Sequence, residues 1–408
     1  MTTPTEVRHL RVTTPQGPSG DLIKEARFAF NYFAKQSERA VSLTMPLRAE
    51  SYSSGALLPI FEMNRPEGYL LSKIEEAFAK QGGLDDMRLL DIVGGVQIGR
   101  LTYARPEEKR SRMAGRVGLK EILARQPTSE LFDYLVATYF ESGISGVQPK
   151  VLVPDGDKGA ANVGSQTLGR ETVVHADLIV KSGGDEFPYL TQNEFMCLTA
   201  ARRAGIETPN FWLSEDGGLF VTERFDLRAG AALGFEDMTV LMNKGSRRKY
   251  EGSYENVAKA VRLFLTGGDP LKALQQLFEY IVFIVMVRNG DGHLKNFGVL
   301  YEHPSDEASI RLAPLYDVVT TSIYGFTHPR TFITKYDRTL ALNLRKSRNY
   351  PDREALLAFG REHCAVHSPE QVVDRIAEAL SATLKEQRAR VPAELWQQLN
   401  KEWQVGLD

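Results

Sequence analysis

A chain of 408 residues with 42% hydrophobic and 25% charged residues is globular by composition, which excludes disordered and fibrous classes and predicts two or three domains. The formal net charge of -2 excludes a protein that grips nucleic acid by bulk electrostatics, so any DNA role is expected to come through a partner. Cys197 and Cys364 lie in helix-like sequence without metal spacing or a disulfide framework, and neither a signal-peptide apolar region nor a run near ~20 apolar residues occurs, so the expected setting is a soluble, reducing cytoplasm.

Residues 1–125 are expected to form an N-terminal α+β accessory domain. Within it "AVSLTMPL" and "DIVGGVQIGRLTY" read as strand-like pieces, and "GYLLSKIEEAFAKQGG" reads as a helix ended by a glycine pair. The stretch "RPEEKRSRMAGRVGLKEILAR" is rich in charge and reads as a solvated connector, with a basic interaction patch as the sharper alternative. Residues 126–226 offer "KVLVPD", "VVHADLIVKS" and "GGLFVTERFD" as strands, separated by glycine-rich turns and the helix "LTQNEFMCLTAARRAG". A mostly antiparallel sheet with one helix follows. Residues 227–408 turn helical, with "GSYENVAKAVRLFL", residues 271–287 and "SPEQVVDRIAEALSATLKEQRARV". Asp269 and Pro270 suit the N-cap and N1 positions of the second of these. A β-rich lobe therefore precedes a helical one.

The stretch "IVFIVMVRNGDGHLKNFG", residues 281–298, runs from seven apolar residues into Arg288, Asn289, Asp291, His293, Lys295 and Asn296. A helix that buries its end in a core holds the following loop rigidly, as catalysis demands. Asp291 and Asn296 stand five apart, the spacing at which one loop supplies a base for a hydroxyl nucleophile and an amide ligand for magnesium. Gly290 and Gly292 permit a tight loop. In "RLAPLYDVVTT", Asp317 follows a short strand-like stretch and offers a hard carboxylate oxygen to the same metal. Phosphoryl transfer needs positioned phosphates, neutralised charge and an aligned hydroxyl. The β-rich lobe supplies the remaining parts: a Gly/Ser turn in "ESGISGVQPKVLV" to cover phosphates, Lys181 to pair with them, Glu194 to hold that lysine, and "LFVTERFD" at the lobe junction. Singly, each feature has a plainer reading as a turn, a surface lysine, a structural histidine or a turn-capping aspartate. Their order along the chain points to a phosphotransferase.

These residues resemble the HipA family of serine/threonine kinase toxins from type II toxin–antitoxin systems. "NGDGHLKNFG" resembles its catalytic loop, "LAPLYD" its metal-binding segment, "SGISGVQPK" its phosphate loop, "VTERFD" its hinge and the region around "SLTMPL" its N-terminal domain. The resemblance implies a protein-kinase-like two-lobed α+β fold with the N-terminal accessory domain. It implies Asp291 as catalytic base and Asn296 and Asp317 as Mg2+ ligands. It implies ATP contacts from Ser145, Gly146, Val147, Gln148, Pro149 and Lys150, from Lys181, from Glu223, Arg224 and Phe225, and from His293, Lys295 and Tyr316. It further implies a protein substrate such as an aminoacyl-tRNA synthetase, growth arrest, and a small DNA-binding antitoxin of the HipB kind as partner.

One departure concerns self-phosphorylation. Many family members autophosphorylate a serine one residue before the position matching Ile144, and here that residue is Gly143, flanked by Ser142 and Ser145. Ser145 is the favoured acceptor, since a phosphate inside the loop would clash with nucleotide phosphates; Ser142 is the other candidate, and a hydrogen bond from Ser145 to ATP is the alternative role. "LPIFEMNRPEGYLLSKI" also departs from the family pattern. Three other functions remain open: a small-molecule kinase of the same fold, an inactive kinase-like transcriptional co-regulator, and a metal-dependent hydrolase using Asp291, His293 and Asp317. The basic residues Arg247, Arg248 and Lys249 lie where kinases carry an activation loop and read either as a contact for an anionic substrate or as a solvated loop.

Overall fold

Alternation of period two builds the first sheet. In β1 (His9–Thr14) every second side chain, Leu10, Val12 and Thr14, is buried, and in β3 (Phe28–Tyr32) Phe28 and Phe30 point the same way. With β2 (Gly17–Lys24), β4 (Tyr52–Ser54) and β5 (Thr102–Ala104) they form an antiparallel sheet in the order β4-β3-β2-β1-β5. The computed structural model describes residues 6–65, 71, 75, 84–94, 98–106, 119–124, 150–153, 177–183, 187–327, 334–336 and 338–407. Helices α1 (Pro59–Glu62) and α2 (Asp86–Val93) contribute Phe61, Met87 and Leu90 to the core beneath this sheet. Asp85 caps α2 by accepting from the Arg88 N–H at 2.8 Å.

Two expectations for this region are corrected. "AVSLTMPL" forms no strand: it carries a 3-10 turn's exit and an isolated bridge, Ser42 to Met45, because its polar groups are used to tie the region to Glu236. In "DIVGGVQIGRLTY" the first three residues close α2, and only Thr102–Ala104 is a strand. Most of "GYLLSKIEEAFAKQGG" and residues 107–118 of the charged connector lie outside the described residues, although helix α3 (Leu119–Ala124) is at the connector's end.

A second antiparallel sheet follows, with β6 (Lys150–Val153), β7 (Leu178–Ser182), β8 (Phe211–Leu213) and β9 (Leu219–Glu223) in the order β6-β7-β9-β8. Helix α4 (Leu190–Arg203) packs on it. The hairpin of β10 (Leu227–Arg228) and β11 (Ala231–Ala232) leads into a three-stranded sheet of β12 (Gly234–Asp237), β13 (Gly298–Tyr301) and β14 (Arg311–Leu312). The rest is mainly helical: α5 (Met238–Leu241), α6 (Tyr254–Phe264), α7 (Pro270–Met286), α8 (Arg353–Cys364), α9 (Pro369–Glu386) and α10 (Ala393–Leu407), with hairpins β15 (Gly325–Thr327)/β16 (Thr334–Tyr336) and β17 (Thr339–Leu344)/β18 (Ser347–Asn349) between.

The N-terminal unit is joined to the helical lobe by one shared core, in which Leu10, Phe61 and Tyr103 pack with Leu233, Phe235 and Leu300. A buried carboxylate sits at this seam. Glu236 accepts from Ser42 Oγ at 2.8 Å, the Leu43 N–H at 2.8 Å and Tyr301 Oη at 2.5 Å. These bonds offset only part of the cost of burial, which still raises the carboxyl's pKa to about 7. Asp226 makes a second tie, accepting from the Gly99 N–H at 2.6 Å while pairing with Arg224.

Candidate active site

Helix α7 begins as its sequence dictates, with Asp269 accepting from the Lys272 N–H at 2.9 Å and Pro270 in the first turn. Its last turns, Ile281 to Met286, are buried on every side, each such side chain contributing ~1.5–3 kcal/mol. The chain then reverses: Arg288 takes a left-handed φ of 56°, and the Asn289 N–H bonds back to the Ile284 carbonyl at 3.0 Å. The loop that follows is fixed at nearly every residue. Thr321 Oγ1 accepts from the Gly290 N–H at 2.6 Å, Asn289 Oδ1 from the Asp291 N–H at 2.9 Å, and the Gly292 carbonyl from Tyr254 Oη at 3.0 Å. At Gly290 a Cβ would fall 2.6 Å from the Thr339 carbonyl oxygen, so close backbone approach, not φ, requires glycine there. Asn296 closes the loop by accepting from the His293 N–H at 2.9 Å.

Three separated elements converge on this loop. Lys181 on β7 places Nζ 2.5 Å from Glu194 Oε1 on α4 and 2.7 Å from Asp317 Oδ1. Burial alone would push the Lys181 ammonium's pKa down; the two carboxylates, Asp317 and Glu194, outweigh it and raise it above the usual lysine range. Asp317 Oδ2 in turn lies 3.4 Å from Asn296 Nδ2. Asp317 holds a left-handed φ of 58°, an uncommon conformation for a residue with a side chain, of the kind that clusters at functional sites. Asn193, next to Glu194, clamps the segment after it, accepting from the Thr320 N–H at 2.9 Å and donating to the Thr320 carbonyl at 3.0 Å. The ammonium, two carboxylates and an amide are thus held by packed elements rather than by a free loop.

The neighbouring residues fall into two groups. Phe225 stacks on Tyr316 with ring centres 5.1 Å apart, and Tyr316 Oη donates to the Lys295 carbonyl at 2.7 Å, so the segment after β9, the loop at 289–296 and the Asp317 segment share one aromatic contact. His293 is buried beside Asp291; burial, reinforced by the charge of Lys249, pushes its pKa down to about 3, so the ring is neutral. A neutral imidazole suits a polar ligand atom. Arg224 differs. Its guanidinium is buried against Asp226, with Nε 2.9 Å from Oδ1 and Nη2 2.5 Å from Oδ2, and its N–H is taken by the Asp177 carbonyl at 2.8 Å. Its side chain serves the domain seam. Glu223 also has a local partner, accepting from Asn210 Nδ2 at 2.7 Å.

Ser142, Ser145, Gly146, Val147, Gln148 and Pro149 lie outside the described residues, and of Lys150 only the backbone of β6 is described, opposite Lys181 in the sheet register. Sequence reasoning missed Tyr250, whose Oη lies 2.8 Å from Asp291 Oδ1. It also missed Thr321 and Asn193, which hold the loop and the Asp317 segment. Tyr250 adjoins the basic run singled out in the sequence, but no periodicity marks an exposed tyrosine as a partner of a carboxylate 41 residues later.

The described residues contain no cluster of three or more His, Cys, Asp or Glu able to hold a metal by themselves. Asp317 fits the lighter demand of Mg2+, which takes one or two protein oxygens and fills its remaining positions from water and substrate phosphate; Asn296 turns Nδ2 toward Asp317 and would join it through Oδ1 only with the amide turned over. Among the described residues no helix is long and apolar enough to cross a membrane.

Comparisons with known proteins give the family and the fold. Residues 142–388 match the model of the HipA-like C-terminal domain, and residues 10–104 match that of the HipA N-terminal domain. The chain is 25% identical over 198 residues to "Putative kinase Y4dM" of Sinorhizobium fredii and 27% identical over 196 residues to "Putative kinase" of Haemophilus influenzae; each match covers 44% of this chain, and 45% and 53% of those proteins. The chain therefore spans about half the length of these two relatives. It is 27% identical over 314 residues to "Putative kinase Y4mE" of Sinorhizobium fredii, covering 71% of this chain and 70% of that one. A chain from the Shewanella oneidensis MR-1 toxin–antitoxin complex of HipA, HipB and operator DNA shares the fold at a TM-score of 0.68 and 18% identity, over 98% of this chain and 96% of that one.

Proposed function

The chain belongs to the HipA family, and we propose that it is an ATP- and Mg2+-dependent serine/threonine protein kinase acting as the toxin of a type II toxin–antitoxin system. The observation that carries this reading is the position of Lys181 Nζ between Glu194 and Asp317, with Asp317 reaching Asn296 on the loop that bears Asp291. That is the set of parts phosphoryl transfer needs. The names of the kinase relatives and the shared fold add to it.

In this reading a substrate hydroxyl reaches Asp291, which takes its proton as the oxygen attacks the γ-phosphorus and ADP departs. Lys181, fixed by Glu194, pairs with phosphate oxygens of the nucleotide. The Asp317 carboxylate, joined by the Asn296 oxygen once that amide turns over, would hold Mg2+, which when bound would neutralise charge on the transferring phosphate. Neutral His293 offers a hydrogen bond beside Asp291, and Phe225 with Tyr316 forms the apolar floor toward the junction strand. Lys150 and the residues from Ser145 to Pro149 cover the phosphates, with Ser145 or Ser142 as the self-phosphorylated position. The expected substrate is a protein of translation such as an aminoacyl-tRNA synthetase. The expected partner is a HipB-like antitoxin, which supplies the DNA contact that a chain of net charge -2 lacks.

The test is Asp291→Asn. Loss of MgATP-dependent phosphorylation and of growth inhibition, with thermal stability unchanged, supports the reading; undiminished toxicity in the folded variant refutes it.

A further inference from the structure

We propose that Tyr250 marks and fills the acceptor subsite of the kinase: its hydroxyl stands where the substrate hydroxyl must sit, and the substrate displaces it. The inference rests on the kinase reading and deepens it. A hydroxyl about to lose its proton to Asp291 has to approach that carboxylate at hydrogen-bond distance. Tyr250 Oη already donates to Asp291 Oδ1 at 2.8 Å, and the tyrosine is 40% exposed, so the contact faces the side from which a substrate arrives.

The segment is pinned rather than packed. The Lys249 carbonyl accepts from the Leu294 N–H at 3.1 Å, the Tyr250 carbonyl accepts from Arg348 Nη2 at 2.7 Å, and the Tyr250 ring meets His293 edge-on at 5.1 Å. The tyrosine is 40% exposed, so a substrate hydroxyl that takes over the bond to Asp291 replaces one charged hydrogen bond by another. The same segment gives the class of acceptor. Residues 244–251, "KGSRRKYE", carry four basic residues to one acidic, Arg247 and Arg248 are exposed, and Lys249 Nζ lies 5.2 Å from the Tyr250 ring. A serine or threonine hydroxyl flanked by acidic residues is the complementary ligand.

The experiment is steady-state kinetics of the full chain with MgATP and three serine peptides, flanked by Glu, Ala or Lys, on wild type, Tyr250→Phe and Arg348→Ala. The expected result is a fall of about tenfold in peptide KM for Tyr250→Phe, the size of one modest charged hydrogen bond, with KM for MgATP unmoved. Arg348→Ala, which loosens the segment without touching the hydroxyl, shifts peptide KM in the same direction, and the Glu-flanked peptide has the lowest KM throughout. An unmoved peptide KM, or a fall in kcat at constant KM, overturns the proposal by making Tyr250 inert or a positioner of Asp291, and the kinase reading survives. Absence of transfer to any peptide by all three proteins overturns the kinase reading and the proposal with it.

Discussion

The ammonium of Lys181 lies 2.5 Å from Glu194 Oε1, and both side chains are almost wholly buried. Breaking one half of a buried pair leaves an uncompensated charge and costs ~3–5 kcal/mol, whereas replacing both by apolar groups is near neutral. Lys181→Met should therefore destabilise the chain by about that amount in urea denaturation. Lys181→Met combined with Glu194→Leu should restore most of the loss while remaining catalytically silent. A double variant as unstable as the single one would show that the pair is not an independent unit.

Asp317 carries the other half of that contact. Asp317→Asn keeps the shape and a residue type that tolerates left-handed φ, but removes the charge facing Lys181. The variant should lose at least tenfold in MgATP affinity, about 1.4 kcal/mol, while ADP without metal binds as before. Titration calorimetry distinguishes the two, and equal losses for both ligands would place Asp317 outside the metal site.

Glu236 makes stability at the domain seam depend on pH. Burial pushes its carboxyl up to about 7, against 4.5 for the free group. Between these values the folded state keeps a proton that the unfolded state has released, so its contribution is full below about pH 4.5 and is lost as pH rises toward 7. The difference in Tm between wild type and Glu236→Gln should follow that slope from pH 4.5 to 7.5 and be level above it. A difference that does not change with pH would mean that the carboxyl stays ionised, held by Ser42, Leu43 and Tyr301.

Asp226, paired with Arg224, makes the other tie across the seam through the Gly99 N–H. Asp226→Asn should cost ~3–5 kcal/mol by stranding the buried guanidinium, and Arg224→Ala should cost as much; a loss of nucleotide affinity greater than the loss of stability would return the Arg224 side chain to the nucleotide site.

The helical lobe was legible because its signals are local. Asp269, Pro270 and the apolar run to Val287 announce both α7 and the rigid loop after it, and the five-residue step from Asp291 to Asn296 lies within one segment. The Lys181–Glu194–Asp317 convergence was inferred from order along the chain, and the fold brings it together across 136 residues. The N-terminal sheet was read poorly. Strands β1 to β3 have clear alternation at residues 9–32, yet "AVSLTMPL", more apolar, drew the strand assignment, although its role is to bond Glu236 some 190 residues away. No spacing in a sequence reveals such a partner. Arg224 was named as a nucleotide contact, and only the fold shows its guanidinium paired with Asp226.

The most direct test of the central claim is transfer of γ-labelled phosphate from MgATP to serine and threonine peptides by the purified chain and by Asp291→Asn, with the protein itself mapped for label at Ser142 and Ser145. The account predicts labelled peptides with wild type, none with Asp291→Asn, and the same melting temperature for both. Equal labelling by the two proteins, or none by a wild-type chain that binds MgATP, would contradict it.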